Sequence, residues 1–221
     1  MESCTAPAGR RIAHGVAAAG AAAERQGFDD EAYRKAGATI AGTVEEVFAK
    51  ADLIIKVKEP QPAELRMLRE GQTLFTYLHL APDPEQTQAL IKAGVTAIAY
   101  ETVTNARGGL PLLAPMSEVA GRMAVQVGAR CLEMSQGGRG VLLGGTASVA
   151  PANVVVLGGG VAGMNAARMA IGAEAHLTCI DINLERLADL DQRFGPAVTT
   201  LYATQQAIED AVLAADLVIG A

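Results

Sequence analysis

The stretch from Asn153 to Gly163 constrains the fold of this chain more than any other. It reads NVVVLGGGVAG, so a run typical of a buried strand leads directly into the pattern Gly158-x-Gly160-x-x-Gly163. In a strand–turn–helix unit the first glycine permits a tight turn. The second lets backbone approach a pyrophosphate, and the third lets the helix pack closely on the sheet. The pattern therefore predicts a dinucleotide pocket, with a helix beginning at Val161.

The first turn of this helix and the strand that follows complete the predicted pocket. The N–H groups of the first turn, starting at Val161, have no partner inside the helix and face the phosphates together with the positive dipole end. Asp181 ends the next predicted strand, near the distance of roughly 20 residues at which an acid hydrogen-bonds a ribose 2′-hydroxyl. The acid therefore favours NAD over NADP. Glycine-rich turns alone are weak predictors, but strand, glycines, helix, strand and acid in this order favour a nucleotide site over a purely structural turn.

The composition predicts a globular protein with a small-molecule partner. Half of the 221 residues are hydrophobic, which is enough to bury the core of one large or two modest domains. The net charge of −6 and the absence of a Lys/Arg block argue against nucleic acid and against an anionic membrane surface. Three cysteines without metal-type spacing predict reduced thiols, no metal site and a cytoplasmic location.

Changes in composition and hydrophobic pattern divide the chain into three parts. Residues 1–26 form a poorly patterned, Ala- and Gly-rich segment whose Arg10–Ala23 stretch is too weakly apolar for a membrane span; a secretory signal is the minor alternative. Residues 27–115 alternate helical and β-rich runs and predict a parallel βα substrate domain. Residues 116–221 predict a Rossmann NAD-binding domain that starts with the connecting helix. The expected fold class is therefore α/β with two domains.

The predicted Rossmann domain is expected to be incomplete. After the first mononucleotide-binding half the sequence contains one further predicted strand and then ends. The connecting helix is predicted to begin at Ser117, and two roles of this residue are equally supported. It is the helix N-cap, or it contacts a cofactor phosphate.

Polar residues stand at the predicted ends of three strands in the substrate domain. Lys58, His79 and Tyr100 are equally spaced along the chain, and Glu101 follows Tyr100. The carboxyl ends of parallel strands meet at one crevice. An ammonium group there can polarise a carbonyl, and an imidazole can exchange a proton near neutral pH. Lys58 and His79 are therefore the catalytic candidates, although each residue type taken singly is more often structural.

From residue 27 to the end, blocks of the sequence resemble one family, which contains alanine dehydrogenases and the alpha subunit of NAD(P) transhydrogenases. The MSEVAGRMAVQ block favours the alanine enzyme over the transhydrogenase subunit. The blocks are GFDDEAYRKAGA (27–38), ADLIIKVKEP (51–60), TLFTYLHLA (73–81), TAIAYETV (96–103), LPLLAPMSEVAGRMAVQVGA (110–129), GGRGVLLGG (137–145) and VVVLGGGVAGMNAARMA (154–170).

The resemblance implies a reaction and a role for each candidate residue. The reaction is the reversible, NAD-dependent oxidative deamination of L-alanine to pyruvate and ammonia by a homo-oligomer, a hexamer in this family. Lys58 is expected to bind the substrate carboxylate and polarise the carbonyl, and His79 to act as the acid/base group. Ser117 is expected to contact the pyrophosphate and Asp181 to hold the adenosine ribose, with Arg186 beside that ribose.

The sequence also departs from the family pattern. Residues 1–26 match neither the initial strand with its PKE-type motif nor the arginine that grips the substrate carboxylate, and Ala203 stands where many members have a serine. The family also continues beyond the point where this chain ends. Two alternatives therefore stay open: an inactive truncated remnant that at most binds adenine nucleotide and, less favoured, a transhydrogenase-type NAD-binding subunit.

Overall fold

A computed structural model of the chain describes residues 15–16 and 29–221, which fall into two units divided between Leu112 and Leu113. Both units contain parallel sheets flanked by helices, so the predicted α/β fold class is confirmed. The poorly patterned segment 1–26 lies outside the described residues, apart from the strand Gly15–Val16. In the described part of the chain no helix has the length and apolar character needed to cross a membrane.

The first unit contains a three-stranded parallel sheet with β4 in the middle, in the order β3-β4-β5, and a two-stranded pair formed by β1 and β2. Its elements are β1 (Gly15–Val16), α1 (Asp30–Lys35), β2 (Thr39–Ile40), α2 (Val44–Lys50), β3 (Leu53–Ile55), α3 (Pro62–Leu65), β4 (Thr73–Thr76), α4 (Pro84–Ala93), β5 (Thr96–Ala99) and a 3₁₀ turn at Tyr100–Thr102.

The core of the first unit lies between the three-stranded sheet and its helices. Its main buried side chains are Phe48, Ile54, Leu74, Leu78 and Leu90. A buried polar residue links two elements across this core, because the Gln72 amide donates hydrogen bonds to the carbonyls of Phe48 (2.7 Å) and Ala51 (2.8 Å). These bonds join the end of α2 to the start of β4 and pair the polar amide of Gln72 inside the core.

The second unit is a four-stranded parallel sheet in the order β8-β7-β6-β9. Its elements are α5 (Ala114–Leu132), β6 (Asn153–Leu157), α6 (Val161–Gly172), β7 (His176–Asp181), α7 (Leu184–Phe194), β8 (Val198–Tyr202), α8 (Gln205–Ala214) and β9 (Leu217–Gly220), with 3₁₀ turns at Met134–Gln136 and Gly195–Ala197. The chain builds outward from β6 to β8 and then crosses back to place β9 on the other side of β6. In such sheets, ligands bind beyond the strand ends at this reversal.

The long helix α5 begins earlier than the sequence predicts. It starts at Ala114, with Pro115 in the first turn, where a residue without an N–H group is well tolerated. Ser117 is therefore already inside the helix, and its N–H donates to the Leu113 carbonyl at 3.2 Å. The prediction that Ser117 is the N-cap is wrong, because proline in the first turn moves the helix start toward the N-terminus.

Candidate functional site

Two glycines of the turn after β6 are required by the backbone itself. Gly158 has a φ of +105°, and a Cβ atom there would lie 2.2 Å from the Ala221 carbonyl oxygen. A Cβ at Gly163, in the first turns of α6, would lie 1.8 Å from the Gly158 carbonyl oxygen. Both distances are far shorter than any real carbon–oxygen contact, so no side chain fits at either position. The turn thus brings α6 directly against the end of β6.

Gly160 plays a different part in the same turn. It is the N-cap of α6 and provides no side-chain cap, so the N–H groups of the first turn, beginning at Val161, lack a side-chain partner. A Cβ at Gly160 would meet nothing within 4 Å. The helix N-terminus therefore faces open space beside the sheet reversal, which is the arrangement that a phosphate group requires.

Asp181, at the end of β7, is bonded to the glycine turn. Its Oδ2 accepts a hydrogen bond from the Gly159 N–H at 2.5 Å, and its Oδ1 accepts one from the Asn183 N–H at 2.7 Å. The carboxylate thus ties the turn after β6 to the turn after β7. An ionised carboxylate has about four acceptor positions, so Asp181 keeps capacity for a ribose hydroxyl.

A cleft of about 400 Å³ extends from the glycine turn along α6 and is also lined by residues of α5 and α7. Gly159, Gly160 and Val161 line one end of it, and Arg186 lines its wall. The lining residues also include three further arginines and two acids, namely Arg122, Arg168, Arg193, Glu118 and Asp189. Four guanidinium groups against two carboxylates give the cleft a net positive charge on a chain whose net charge is −6. The electrostatics therefore favour an anionic ligand.

In the first unit, the sheet register decides which strand ends meet. Phe75 lies between Ile55 and Ile98, and the β3–β4 pairing continues beyond the strands because the Tyr77 N–H donates to the Val57 carbonyl at 3.2 Å. Beyond the strands, the Lys58 carbonyl accepts a hydrogen bond from the Thr76 hydroxyl at the end of β4. The Glu101 carboxylate, in the 3₁₀ turn after β5, accepts hydrogen bonds from the N–H groups of Leu78 and His79. The structure thus brings Lys58, His79 and Glu101 to one edge of the sheet.

His79 adopts a backbone conformation that is uncommon for a residue with a side chain. Its φ is +48°, and its N–H donates to Glu101 Oε1 at 2.7 Å. The Leu78 N–H donates to the same carboxylate oxygen at 3.1 Å. The imidazole is exposed and stacks on the buried ring of Tyr77, with 6.0 Å between ring centroids and 12° between planes. Glu101 therefore stabilises the strained turn that presents the imidazole.

Replacing Glu101 with glutamine is expected to make the free energy of unfolding less dependent on pH in the acid range. Partial burial raises the pKa of Glu101, but hydrogen bonds from the His79 and Leu78 N–H groups and attraction to His79 outweigh burial and hold that pKa below its ordinary value. A depressed folded-state pKa contributes stability above the unfolded-state pKa, and this stability is lost as the pH falls through the folded-state value. Urea unfolding between about pH 5 and 3 should therefore show a steeper loss for the wild type than for Glu101→Gln. Parallel profiles would contradict this role.

The two lysines that follow β3 have different surroundings. The Lys56 ammonium is bonded to the carboxylate of Glu64 in α3, and both side chains are largely buried. The Lys58 side chain is exposed, and no carboxylate in the described part of the chain lies within ion-pair distance of it. The Lys58 carbonyl accepts a hydrogen bond from the hydroxyl of Thr76 at 2.8 Å. Of the two ammonium groups, only that of Lys58 is accessible to a ligand.

Cys131 and Cys179, the two cysteines in the described part of the chain, show no features of a reactive or metal-binding site. Burial and then the charge of Asp181 raise the pKa of the Cys179 thiol to about 11, so it stays protonated inside the sheet. Cys131 is exposed on α5. The described residues contain no group of three His, Cys, Asp or Glu side chains that could hold a metal ion.

Sequence reasoning missed several residues of these two sites. Arg168 stands seven positions after Val161 on the same helix face, so a helical projection of α6 would have indicated it. Arg122 and Arg193 lie on α5 and α7, and their position at the cleft depends on how these helices pack against α6. Thr76 and the hydrogen bonds of Glu101 depend on sheet register, which no local pattern reveals.

Two family models together match nearly the whole chain. The N-terminal domain of alanine dehydrogenase/PNT matches residues 13–120, and its C-terminal domain matches residues 124–221. Among curated proteins, alanine dehydrogenase of Halomonas elongata is 53% identical over 94% of this chain and 56% of its own length. That of Methanococcus maripaludis is 55% identical over 86% of this chain and 51% of its own length. The chain thus spans about half the length of the curated relatives it matches.

The solved structures show the same relationship. An L-alanine dehydrogenase superposes with a TM-score of 0.74 at 51% identity, covering 87% of this chain and 53% of that protein. A transhydrogenase from Sinorhizobium meliloti superposes with a TM-score of 0.68 at 23% identity, covering 93% of this chain and 60% of that protein. At that identity the transhydrogenase shows a common fold only.

Proposed function

The chain belongs to the alanine dehydrogenase/PNT family, and from this premise we propose that it provides the substrate-binding and nucleotide-binding parts of an NAD-dependent alanine dehydrogenase. The proposed reaction is the reversible oxidative deamination of L-alanine to pyruvate and ammonia. The observation that carries the proposal is the 53% identity to a curated alanine dehydrogenase over 94% of the chain, which includes the residues of both sites. Assembly as a homo-oligomer stays a prediction from the resemblance, and a cytoplasmic location stays a prediction from the cysteine pattern.

The nucleotide site has the features that an NAD molecule needs. We assign the pyrophosphate to the N–H groups of the first turn of α6, next to Gly160 and Val161, where a Cβ-free position leaves space. Asp181 would accept a hydrogen bond from the adenosine ribose, and Arg186 would lie beside that ribose. Ser117 stays a proposed pyrophosphate contact, although it is not among the cleft-lining residues. When bound, NAD supplies the hydride acceptor for the reaction.

The substrate-side chemistry is assigned to Lys58 and His79. The Lys58 ammonium would bind the carboxylate of alanine or pyruvate and stabilise negative charge that develops on the reacting oxygen. The His79 imidazole would take a proton from the water that adds to the oxidised, iminium form of alanine, and would return it when ammonia leaves. Exposure of both groups at one sheet edge supports these roles.

Gly160→Ala is expected to weaken nucleotide binding strongly while leaving the fold intact. The added methyl group meets no protein atom within 4 Å, and the φ of this residue is −68°, so the substitution creates no strain. The methyl group would instead occupy the space proposed for the pyrophosphate, and we expect NAD affinity to fall by roughly tenfold or more. Calorimetric titration measures the NAD affinity, and thermal unfolding measures the stability of the fold. Unchanged affinity would place the dinucleotide elsewhere.

The activity itself is tested with purified protein, L-alanine and NAD, by following NADH absorbance. Turnover that His79→Ala abolishes, without loss of NAD affinity, would support the dehydrogenase. NAD binding without any turnover would favour the remnant that binds only the nucleotide. Absence of NAD binding by the wild type would contradict the proposed function as a whole.

A further inference from the structure

Thr76 connects the two strand ends that carry Lys58 and His79. It is the last residue of β4 and is 0% exposed. Its hydroxyl lies 2.8 Å from the Lys58 carbonyl oxygen and 3.1 Å from the Val57 carbonyl oxygen. A single side chain that lies three residues before His79 therefore contacts the backbone of Lys58 directly.

This contact comes where the backbone pairing of β3 stops. The Lys56 N–H still donates to the Phe75 carbonyl at 3.2 Å, and the Val57 carbonyl still accepts from the Tyr77 N–H at 3.2 Å. Beyond Val57 no backbone hydrogen bond to β4 is found among the described residues, and Pro60, three residues further on, has no N–H to donate. The Thr76 hydroxyl thus provides the link between Lys58 and the sheet.

The His79 side of this edge is held by other groups. The Gln86 amide donates to the Leu78 carbonyl at 2.5 Å, and the Glu101 carboxylate accepts from the N–H groups of Leu78 and His79. Gln86 is 3% exposed, so this support is part of the packed interior. Because the His79 backbone is fixed in this way, the placement of Lys58 relative to His79 depends on the bond that Thr76 makes.

We propose that Thr76 is a positioning residue for the substrate site. Its hydroxyl holds the backbone of Lys58 at the correct distance from His79, so that the ammonium and the imidazole act on the same small 2-oxo acid or 2-amino acid. This inference rests on the proposed function, because it presumes that both side chains face one substrate. Small misplacements matter in such a site, since a shift of about 1 Å can cost a hundredfold in rate.

The test compares Thr76→Val, which keeps the shape and removes the hydroxyl, with Thr76→Ser, which keeps the hydroxyl. Thr73→Val serves as the matched control, since it lies in the same strand and its hydroxyl makes no hydrogen bond among the described residues. Calorimetric titration of the full chain with pyruvate, in the presence of NADH, measures substrate binding without requiring turnover. Titration with NAD alone and thermal unfolding serve as further measurements.

We expect Thr76→Val to weaken pyruvate binding about tenfold, which corresponds to about 1.4 kcal/mol. Thr76→Ser and Thr73→Val should stay within about twofold of the wild type, and NAD affinity should be unchanged in all three variants. Equal pyruvate affinity of Thr76→Val and the wild type would overturn the inference. So would equal weakening in Thr76→Val and Thr76→Ser, because the hydroxyl would then not be the cause. A wild type that binds neither NAD nor pyruvate would instead contradict the proposed function.

Discussion

Gly163→Ala is expected to eliminate NAD binding and to cause a large loss of stability. The new Cβ would lie 1.8 Å from the Gly158 carbonyl oxygen and 3.3 Å from a methyl group of Val156, so α6 must move away from the end of β6. Backbone cannot yield as a flexible side chain does, and we expect a loss of roughly 3 kcal/mol, at the upper end for overpacked cores. Urea unfolding followed by circular dichroism measures the stability, and calorimetry measures NAD affinity.

Gly172→Ala is the matched control on the same helix. A Cβ there meets nothing within 4 Å. Replacing a helical glycine with alanine commonly stabilises by about 0.5–1 kcal/mol, so the control should be neutral or more stable and should bind NAD as the wild type does. If Gly163→Ala and Gly172→Ala unfold at the same urea concentration, the claim that close packing requires glycine at position 163 is wrong.

Gly121→Ala is expected to produce the second large effect, through the packing of α5 on α6. A Cβ at Gly121 would lie 2.0 Å from the Ala162 carbonyl oxygen and 3.0 Å from the Asn165 Cβ. Gly121 is buried, and both contacts belong to the first two turns of α6. We expect a destabilisation of roughly 2–3 kcal/mol, together with weaker NAD binding because the N-terminal turn of α6 is displaced. Urea unfolding and NAD titration test both effects.

Gly128→Ala, on the same helix, separates a backbone clash from a side-chain clash. Its Cβ would meet the Leu217 methyl groups at 2.5 and 2.7 Å, and a leucine side chain can change its rotamer. The loss should therefore be clearly smaller than for Gly121→Ala, and NAD affinity should be retained. The opposite order of the two losses would contradict the close approach of α5 and α6.

The nucleotide half of the protein was the more predictable of the two. Strand β6, helix α6 and strand β7 lie where hydrophobic periodicity and the glycine pattern predict them, because each of these features is encoded within about ten consecutive residues. The start of α5 was predicted three residues too late, since Ser117 is a stronger cap former than Leu113 but Pro115 favours an earlier first turn.

The substrate half depended more on context. Strand β3 ends at Ile55, three residues before Lys58, although the sequence places Lys58 at the end of a predicted strand. Equal spacing predicted that Lys58, His79 and Tyr100 end their strands side by side. Instead, the pairing of β4 with β5 ends at Thr76 and Ala99, and Tyr100 lies in a 3₁₀ turn. The side chain of Glu101, in the same turn, accepts hydrogen bonds from the N–H groups of Leu78 and His79. Register follows from which side chains each strand buries, and a shift of one residue exchanges the two faces of a strand.

The amino-acid sequence by itself determined the α/β class and the glycine turn, because backbone conformation and hydrophobic periodicity are properties of neighbouring residues. Only the tertiary structure decided that Asp181 holds Gly159, that Thr76 holds Lys58, and which arginines line the cleft along α6. These contacts join residues that are distant in the chain. Their partners are set by strand register and helix packing, which arise only when the whole core has assembled.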